Sequence, residues 1–127
     1  MKKFFEIEVE QQFSAAHRLR GSGAKCENLH GHNWNVIAVV RGERLDGLGM
    51  VMDFKTLRQA LLDVLEELDH RDLNALPAFR KVNPSAENIA RFVYEKLAKK
   101  IVARGVRLER IRVAESDGCW ATYGRLG

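Results

Sequence analysis

Three of the four histidines lie near the start of the sequence, in a spacing that suits a metal ion. Only Gly31 separates His30 from His32, and His17 lies upstream of both. Residues i and i+2 of a β-strand point to the same face, so a strand starting at His30 would bring both imidazoles to one ion. Three neutral imidazoles with a vacant fourth position form the arrangement of a catalytic zinc. The spacing therefore favours a metal site, and the alternative is an isolated His-x-His pair in the core or on the surface.

Cys26 is the candidate base beside this histidine pair. It follows Lys25 and precedes His30 in the chain. A nearby positive charge stabilises a thiolate, which could then accept a proton close to neutral pH. Two alternatives stay open. Cys26 could be a fourth ligand that closes the site and makes the zinc structural, or a small buried apolar residue.

Two further carboxylates stand where they could take part in catalysis or recognition. Asp69 and His70 follow an apolar helix pattern, and because adjacent residues do not face each other on a helix, we expect the pair beyond the helix end. An aspartate that orients an imidazole forms an acid–base unit, and the alternative is a surface pair favoured by the helix dipole. Glu115 continues the face of Ile111 and Val113, so its carboxylate needs a partner, either a ligand's N–H groups or a Lys or Arg.

The elements that must position these residues follow from the apolar periodicity. Alternation predicts strands over 4–13 and 106–113, β-branched and aromatic residues predict a strand over 33–41, and a returning strand is expected over 119–126. Spacing of three to four residues predicts helices that begin after Asp53 and at Asn83-Pro84. A slip in parity near Glu109 predicts a bulge, Asp117-Gly118 predicts a hairpin turn, and 69–83 is predicted as a loop. The order β-β-α-α-β-β predicts an α+β fold, with a four-stranded antiparallel sheet and two helices on one face.

Composition limits the possible classes of protein. The 127 residues are 46% hydrophobic and 30% charged, which predicts one globular domain over 1–127. No apolar run approaches the ~20 residues of a membrane-spanning helix, and acidic residues interrupt the start before a signal peptide could form, so we expect a cytoplasmic protein without a membrane partner. The net charge of +4 is scattered, and we expect no nucleic-acid partner. Cys119 is predicted to lie in the core.

Several segments, taken in chain order, resemble the 6-pyruvoyl-tetrahydropterin synthase family, which includes the bacterial 6-carboxy-5,6,7,8-tetrahydropterin synthases of queuosine biosynthesis. They are Phe-Ser-Ala-Ala-His at 13–17, Cys-Glu-Asn-Leu-His-Gly-His at 26–32, Val-Met-Asp-Phe at 51–54, Leu-Asp-His at 68–70, Asn-Pro-Ser-Ala-Glu-Asn at 83–88, and Glu115. The resemblance implies the tunnelling fold (T-fold), in which β-β-α-α-β-β subunits join their sheets around a ring. It also implies a homo-oligomer, a trimer or a hexamer, with active sites at the subunit interfaces.

The resemblance further implies a role for each candidate residue. The substrate would be 7,8-dihydroneopterin triphosphate, and the cofactor Zn²⁺, a Lewis acid for the oxygens of the substrate side chain. The implied roles are zinc ligands for His17, His30 and His32, proton-abstracting base for Cys26, relay for Asp69 and His70, and anchor of the pterin ring for Glu115.

The segment 26–32 also bears on which reaction the resemblance implies. Three residues separate Cys26 from His30, a gap that resembles the carboxytetrahydropterin type, which releases triphosphate and acetaldehyde. Glu27 follows Cys26 directly, and in another branch a glutamate replaces the cysteine and the enzyme cleaves the side chain to 6-hydroxymethyl-dihydropterin for folate synthesis. Glu27 would then contact the substrate, and its alternative is a solvated loop carboxylate. Pyruvoyl formation, or a non-catalytic zinc-stabilised ring that binds a partner, are the remaining alternatives.

Overall fold

The first two strands form a long antiparallel hairpin. The structure, a computed structural model, describes residues 2–126 except for the side chain of Cys26. Strand β1 spans Phe5–His17 and β2 spans His30–Gly42. Their pairing runs from Phe5 opposite Gly42 to His17 opposite His30. Both strands are longer than predicted, because their backbone pairing continues past the strictly alternating residues to the histidines.

Three more strands extend this hairpin into a five-stranded sheet of order β3-β1-β2-β4-β5. Strand β4 (Val106–Ser116) lies antiparallel to β2, and β5 (Cys119–Gly124) returns antiparallel to β4 after the predicted turn. Strand β3 (Arg71–Asp72) pairs in parallel with the end of β1. The prediction of four antiparallel strands missed β3, because two residues are too few to show alternation.

Both helices pack on one face of the sheet, as predicted. Helix α1 spans Phe54–Leu65 and is capped by the Asp53 side chain, whereas α2 spans Ala86–Ala98. The cap of α2 is Ser85, not Asn83, because the Asn83 amide is hydrogen-bonded to the backbone of Arg20 instead. None of the described helices has the length and apolar character needed to cross a bilayer. The apolar core between the sheet and the helices includes Phe13, Trp34, Val36, Leu57, Leu61, Ile89, Val93, Leu97 and Ile111.

The connection from α1 to α2 has more structure than the predicted loop. It contains β3 and two short 3-10 turns, Leu73–Ala75 and Pro77–Phe79, whose Leu73 and Phe79 side chains are buried. The prediction that Cys119 lies in the core was wrong. Cys119 is the first residue of the edge strand β5, and its side chain is exposed.

Strand β4 carries the predicted bulge at Glu109. Val39 lies opposite Arg110 and Val40 lies opposite Leu108, which leaves Glu109 as the extra residue. A second irregularity lies between Ala114 and Ser116, where β4 pairs with β5. Bulges re-aim single side chains, and in this sheet they leave two carboxylates without direct cross-strand partners, Glu109 at one end of β4 and Glu115 at the other.

The bulge brings β5 unusually close to β4 at Gly124. A Cβ atom at this position would lie 2.7 Å from the Glu109 carbonyl oxygen and 2.8 Å from the Arg110 Cβ. We therefore expect Gly124→Ala to lower the free energy of unfolding by ~1–3 kcal/mol, measured by urea denaturation. Gly47→Ala is the matched control, since nothing lies within 4 Å of its Cβ position. Equal stability of the two variants would contradict this packing.

Candidate metal centre

The hairpin brings the three predicted histidines together at one end of the sheet. The ring centroids of His17 and His30 are 4.6 Å apart, those of His30 and His32 4.7 Å, and those of His17 and His32 5.3 Å. All three rings lie on the helix-covered face, because His17 shares its parity with Phe13, and His30 and His32 share theirs with Trp34. His17 is fully buried, and the other two are partly exposed.

Backbone carbonyl groups fix how two of the imidazoles present their nitrogens. His17 Nδ1 lies 2.7 Å from the Pro84 carbonyl oxygen, and His30 Nδ1 lies 2.7 Å from the Asn28 carbonyl oxygen. A carbonyl can only accept, so each Nδ1 carries the proton and donates it. Each Nε2 of a neutral ring then keeps its lone pair and turns toward the other histidines. This is the usual outer-shell arrangement that orients histidine ligands of a metal.

The fourth member of the cluster is Glu115, which was predicted to bind the substrate but not to lie beside the histidines. Its Oε1 lies 2.8 Å from His32 Nε2, 3.6 Å from His17 Nε2 and 3.9 Å from His30 Nε2. One ligand atom from each of these four residues lies within 4.8 Å of the other three. The Glu115 side chain points in the direction expected from its parity with Ile111 and Val113. Only the register between β2 and β4, which the sequence does not show, places it beside the histidines.

The donor set fits a zinc ion. His17 Nε2 and His32 Nε2 are buried and have no aligned hydrogen-bond partner among the described residues, even with Glu115 at 2.8 Å from His32. Buried polar atoms without partners are costly, and a cation would satisfy them. Burial is the main cause that lowers the pKa of His32, and it outweighs the opposing charge of Glu115. His32 is therefore neutral at neutral pH, the form that binds zinc.

Trp34 packs against two of the imidazoles. Its ring is fully buried and meets those of His17 and His32 edge-on, at centroid distances of 4.9 and 5.4 Å. The indole Nε1 donates to the Ala15 carbonyl oxygen at 3.3 Å, which ties the ring to β1. Packing of this kind restricts the imidazole rotamers and keeps water from the inner side of the cluster. Trp34 was predicted only as part of a strand, and its contact with the imidazoles was not predicted.

Asp69 and His70 lie beyond the end of α1, as predicted, and beside the edge of β1. The Ser14 amide donates to Asp69 Oδ1 at 2.9 Å, and His70 Nδ1 lies 2.9 Å from Asp69 Oδ2. The His70 amide also donates to the Ser14 carbonyl oxygen. His70 has a φ of 58°, an uncommon conformation for a residue with a side chain. The two side chains thus contact each other, but neither belongs to the four-donor cluster, and their role as an acid–base unit stays a prediction.

The loop before β2 holds the remaining predicted residues. Lys25–Glu27 form a single 3-10 turn, and the predicted role of Cys26 concerns a side chain outside the described part of the structure. The Glu27 carboxylate is exposed and accepts a hydrogen bond from the Gly23 amide at 2.6 Å. Glu27 therefore helps to hold the loop together, and its catalytic role stays a prediction.

Comparisons with known proteins show which family this chain belongs to. The model of the family described as "6-pyruvoyl tetrahydropterin synthase" matches residues 6–125. An Archaeoglobus fulgidus protein, provisionally named a 6-carboxy-5,6,7,8-tetrahydropterin synthase, is 35% identical over 125 residues, covering 98% of this chain and 100% of that one. Dihydroneopterin monophosphate aldolase of Pyrococcus furiosus is 37% identical over 105 residues, covering 83% and 84% of the two chains.

A solved structure agrees with these sequence matches. The 6-pyruvoyl tetrahydropterin synthase of Caenorhabditis elegans superposes with a TM-score of 0.87 at 29% identity, covering 98% of this chain and 97% of that one. The fold is the tunnelling fold, and the chain belongs to the 6-pyruvoyl tetrahydropterin synthase family. It is an enzyme, a lyase of this family.

The contacts of Asp69 yield a prediction for its ionisation. The Ser14 amide is the largest cause that lowers the pKa of Asp69, and the hydrogen bond and charge of His70 lower it further. We expect His70→Ala to raise the pKa of Asp69 only partly, so that it stays below the ordinary ~4, in a carboxyl ¹³C NMR titration. The lowered pKa of Asp69 stabilises the fold above pH ~4, and this stabilisation is lost as the pH falls through the folded-state pKa. The variant should therefore lose less stability in acid than the wild type does. A full return of the Asp69 pKa to its ordinary value would contradict the role given to Ser14.

Proposed function

We propose that the protein is a zinc-dependent 6-carboxy-5,6,7,8-tetrahydropterin synthase. It converts 7,8-dihydroneopterin triphosphate to 6-carboxytetrahydropterin, with loss of triphosphate and acetaldehyde, in the queuosine (7-deazaguanine) pathway of the cytoplasm. The observation that carries this proposal is the cluster of three imidazoles, two of which have their Nδ1 atoms engaged by backbone carbonyls. The name of the Archaeoglobus relative and the three-residue gap between Cys26 and His30 support the choice of reaction.

Each residue has a defined part in the proposed mechanism. His17, His30 and His32 would hold the zinc ion, which when bound supplies a Lewis acid for the side-chain oxygens of the pterin. Cys26, on the loop that leads into β2, takes the proton from the substrate side chain. The Asp69 carboxylate holds the His70 ring by its Nδ1, so that Nε2 is left to exchange protons with the reacting groups.

Glu115 is proposed to anchor the pterin ring. In the structure its carboxylate lies against the imidazoles, where it would complete a closed site of four protein ligands. Catalytic zinc sites keep one position open. We infer that Glu115 turns to accept hydrogen bonds from the amino and ring N–H groups of the pterin, so that only the three imidazoles would hold the ion. The partial exposure of this carboxylate leaves room for such a rotation.

The edges of the sheet support a homo-oligomer, a trimer or a hexamer. Within the described part of the chain, β1 pairs with β3 only at Ala15 and Ala16, so its residues from Phe5 to Phe13 have one open side. Strand β5 is the opposite edge. Long unpaired edges expose backbone donors and acceptors and are normally covered. Pairing of β1 with β5 of another copy would cover both edges without a membrane or nucleic-acid partner.

Cleavage of the dihydroneopterin side chain to 6-hydroxymethyl-dihydropterin is the second candidate function. The name of the Pyrococcus relative and the presence of Glu27 beside Cys26 favour it. Incubation of the zinc-loaded protein with 7,8-dihydroneopterin triphosphate, followed by mass spectrometry, separates the candidates. Carboxytetrahydropterin with acetaldehyde supports the first function, a pyruvoyl product indicates pyruvoyl-tetrahydropterin synthase, and hydroxymethyl-dihydropterin supports the second candidate. The absence of any turnover by zinc-loaded protein would indicate a non-catalytic zinc-binding protein.

The proposed base predicts a separation of activity from metal binding. We expect Cys26→Ala to lower kcat by ~10²- to 10⁴-fold, because the proton acceptor is lost, while zinc content stays unchanged. Zinc is measured by atomic emission after dialysis, with His32→Ala as the control that loses the metal. If Cys26→Ala also loses zinc, the thiolate is a ligand and the proposed mechanism is wrong.

The proposed anchor predicts a different separation. We expect Glu115→Gln to keep zinc but to weaken substrate use by about tenfold or more in kcat/KM, since charge-assisted hydrogen bonds to the pterin are lost. Glu8→Gln, on an exposed position of β1, is the matched control. Loss of zinc from Glu115→Gln would identify the carboxylate as a metal ligand and the site as closed.

A further inference from the structure

A cavity lies at the end of the sheet opposite the histidine cluster. It has a volume of about 640 Å³ and is formed by the chain leaving β2 (41–44) and the chain entering β4 (104–107). His32 and Arg41 are nine residues apart on the same strand, so ~30 Å separates the cavity from the histidine cluster. Small-molecule sites typically have volumes of ~300–1,000 Å³. We call this cavity the arginine cleft, because Arg41, Arg44, Arg104 and Arg107 line it.

Two of these arginines are held rigidly by buried or paired carboxylates. Arg41 and Arg107 lie directly opposite each other on β2 and β4, an unfavourable placement for like charges. The buried Glu109 carboxylate at the bulge offsets this, with Oε2 3.0 Å from Arg107 Nε and Oε1 3.6 Å from Arg41 Nη1. Glu6 accepts two hydrogen bonds from Arg41, at 2.9 and 2.7 Å. The two guanidinium groups in the back wall of the cleft are therefore held in fixed positions.

The other two arginines lack such partners. Within residues 2–126, Arg44 and Arg104 form no ion pair and no side-chain hydrogen bond, and both are exposed at the mouth of the cleft. The one acidic residue of the lining, Glu43, lies 3.8 Å from the Lys2 ammonium group instead. The lining thus holds two guanidinium groups that are paired with Glu6 and Glu109, two that have no carboxylate partner, and one carboxylate that has its own cation. A concave surface with this balance attracts anions with several charges.

We propose that the arginine cleft binds a small anion with several phosphate groups. Guanidinium groups match phosphate oxygens in planar, paired hydrogen bonds, and the two exposed arginines lie where they could contact a ligand that rests on the two fixed ones. The ligand is either a free inorganic polyphosphate or the phosphate tail of an organic triphosphate, since both have the same charged groups. This site is separate from the metal centre, and it does not depend on which reaction the metal centre performs.

The test is a calorimetric titration of the zinc-loaded protein with inorganic triphosphate and, in a second arm, with ATP. We expect Arg44→Gln/Arg104→Gln to weaken triphosphate binding by about tenfold or more, because half of the cationic groups are lost. Lys55→Gln/Arg58→Gln, which removes the same charge from α1, should bind as the wild type does. His32→Ala should retain the binding that depends on Arg44 and Arg104, which separates the cleft from the metal centre.

The two arms and a nucleic-acid control define what would overturn the proposal. Equal affinity for both triphosphates indicates a site for the phosphate groups alone, and tighter binding of ATP indicates an organic triphosphate. Unchanged binding by Arg44→Gln/Arg104→Gln would overturn the proposal, as would complete loss of binding in His32→Ala. Binding of an RNA duplex without binding of either triphosphate would also overturn it. Thermal melting of each variant checks that the fold is unchanged.

Discussion

The register of the β1–β2 hairpin is the constraint on which the site depends. It places His17 directly opposite His30, with His32 opposite Ala15 on the same face. A slip by one residue would turn one strand's side chains to the other face and separate the imidazoles. The buried Phe13 and Trp34, stacked at a centroid distance of 5.9 Å, resist such a slip because it would expose them. The same apolar packing that stabilises the fold therefore also assembles the histidine cluster.

The segment that precedes helix α2 contacts the end of this hairpin. The chain before α2 passes His17 closely enough for the Pro84 carbonyl to accept from its Nδ1. The Asn83 side chain joins the same segment to the backbone of Arg20, after β1. Thus the segment from Asn83 to Ser85 both starts a helix and fixes an imidazole. The same short segment therefore contributes both to the packing of α2 and to the orientation of His17.

Much of the fold and part of the site could be predicted from the sequence, for identifiable reasons. Regular periodicity revealed both helices and the four longer strands, and the break in parity revealed the bulge at Glu109. Proximity of His17 to His30 and His32 followed from hairpin pairing. The meeting of Glu115 with the imidazoles, and of Arg41 with Arg107 across β2 and β4, depends on a long-range register that no local pattern encodes. The Pro84 contact is made by a backbone atom, which leaves no signature in side-chain types.

X-ray absorption at the zinc edge of the metal-loaded protein tests the central claim most directly. The account predicts three nitrogen ligands at ~2.0–2.1 Å and one further oxygen, with no sulfur. It also predicts the same spectrum for Glu115→Gln, since that oxygen belongs to solvent or substrate. A sulfur ligand at ~2.3 Å, or a spectrum that changes when Glu115 is replaced, would show a site closed by protein and contradict the account.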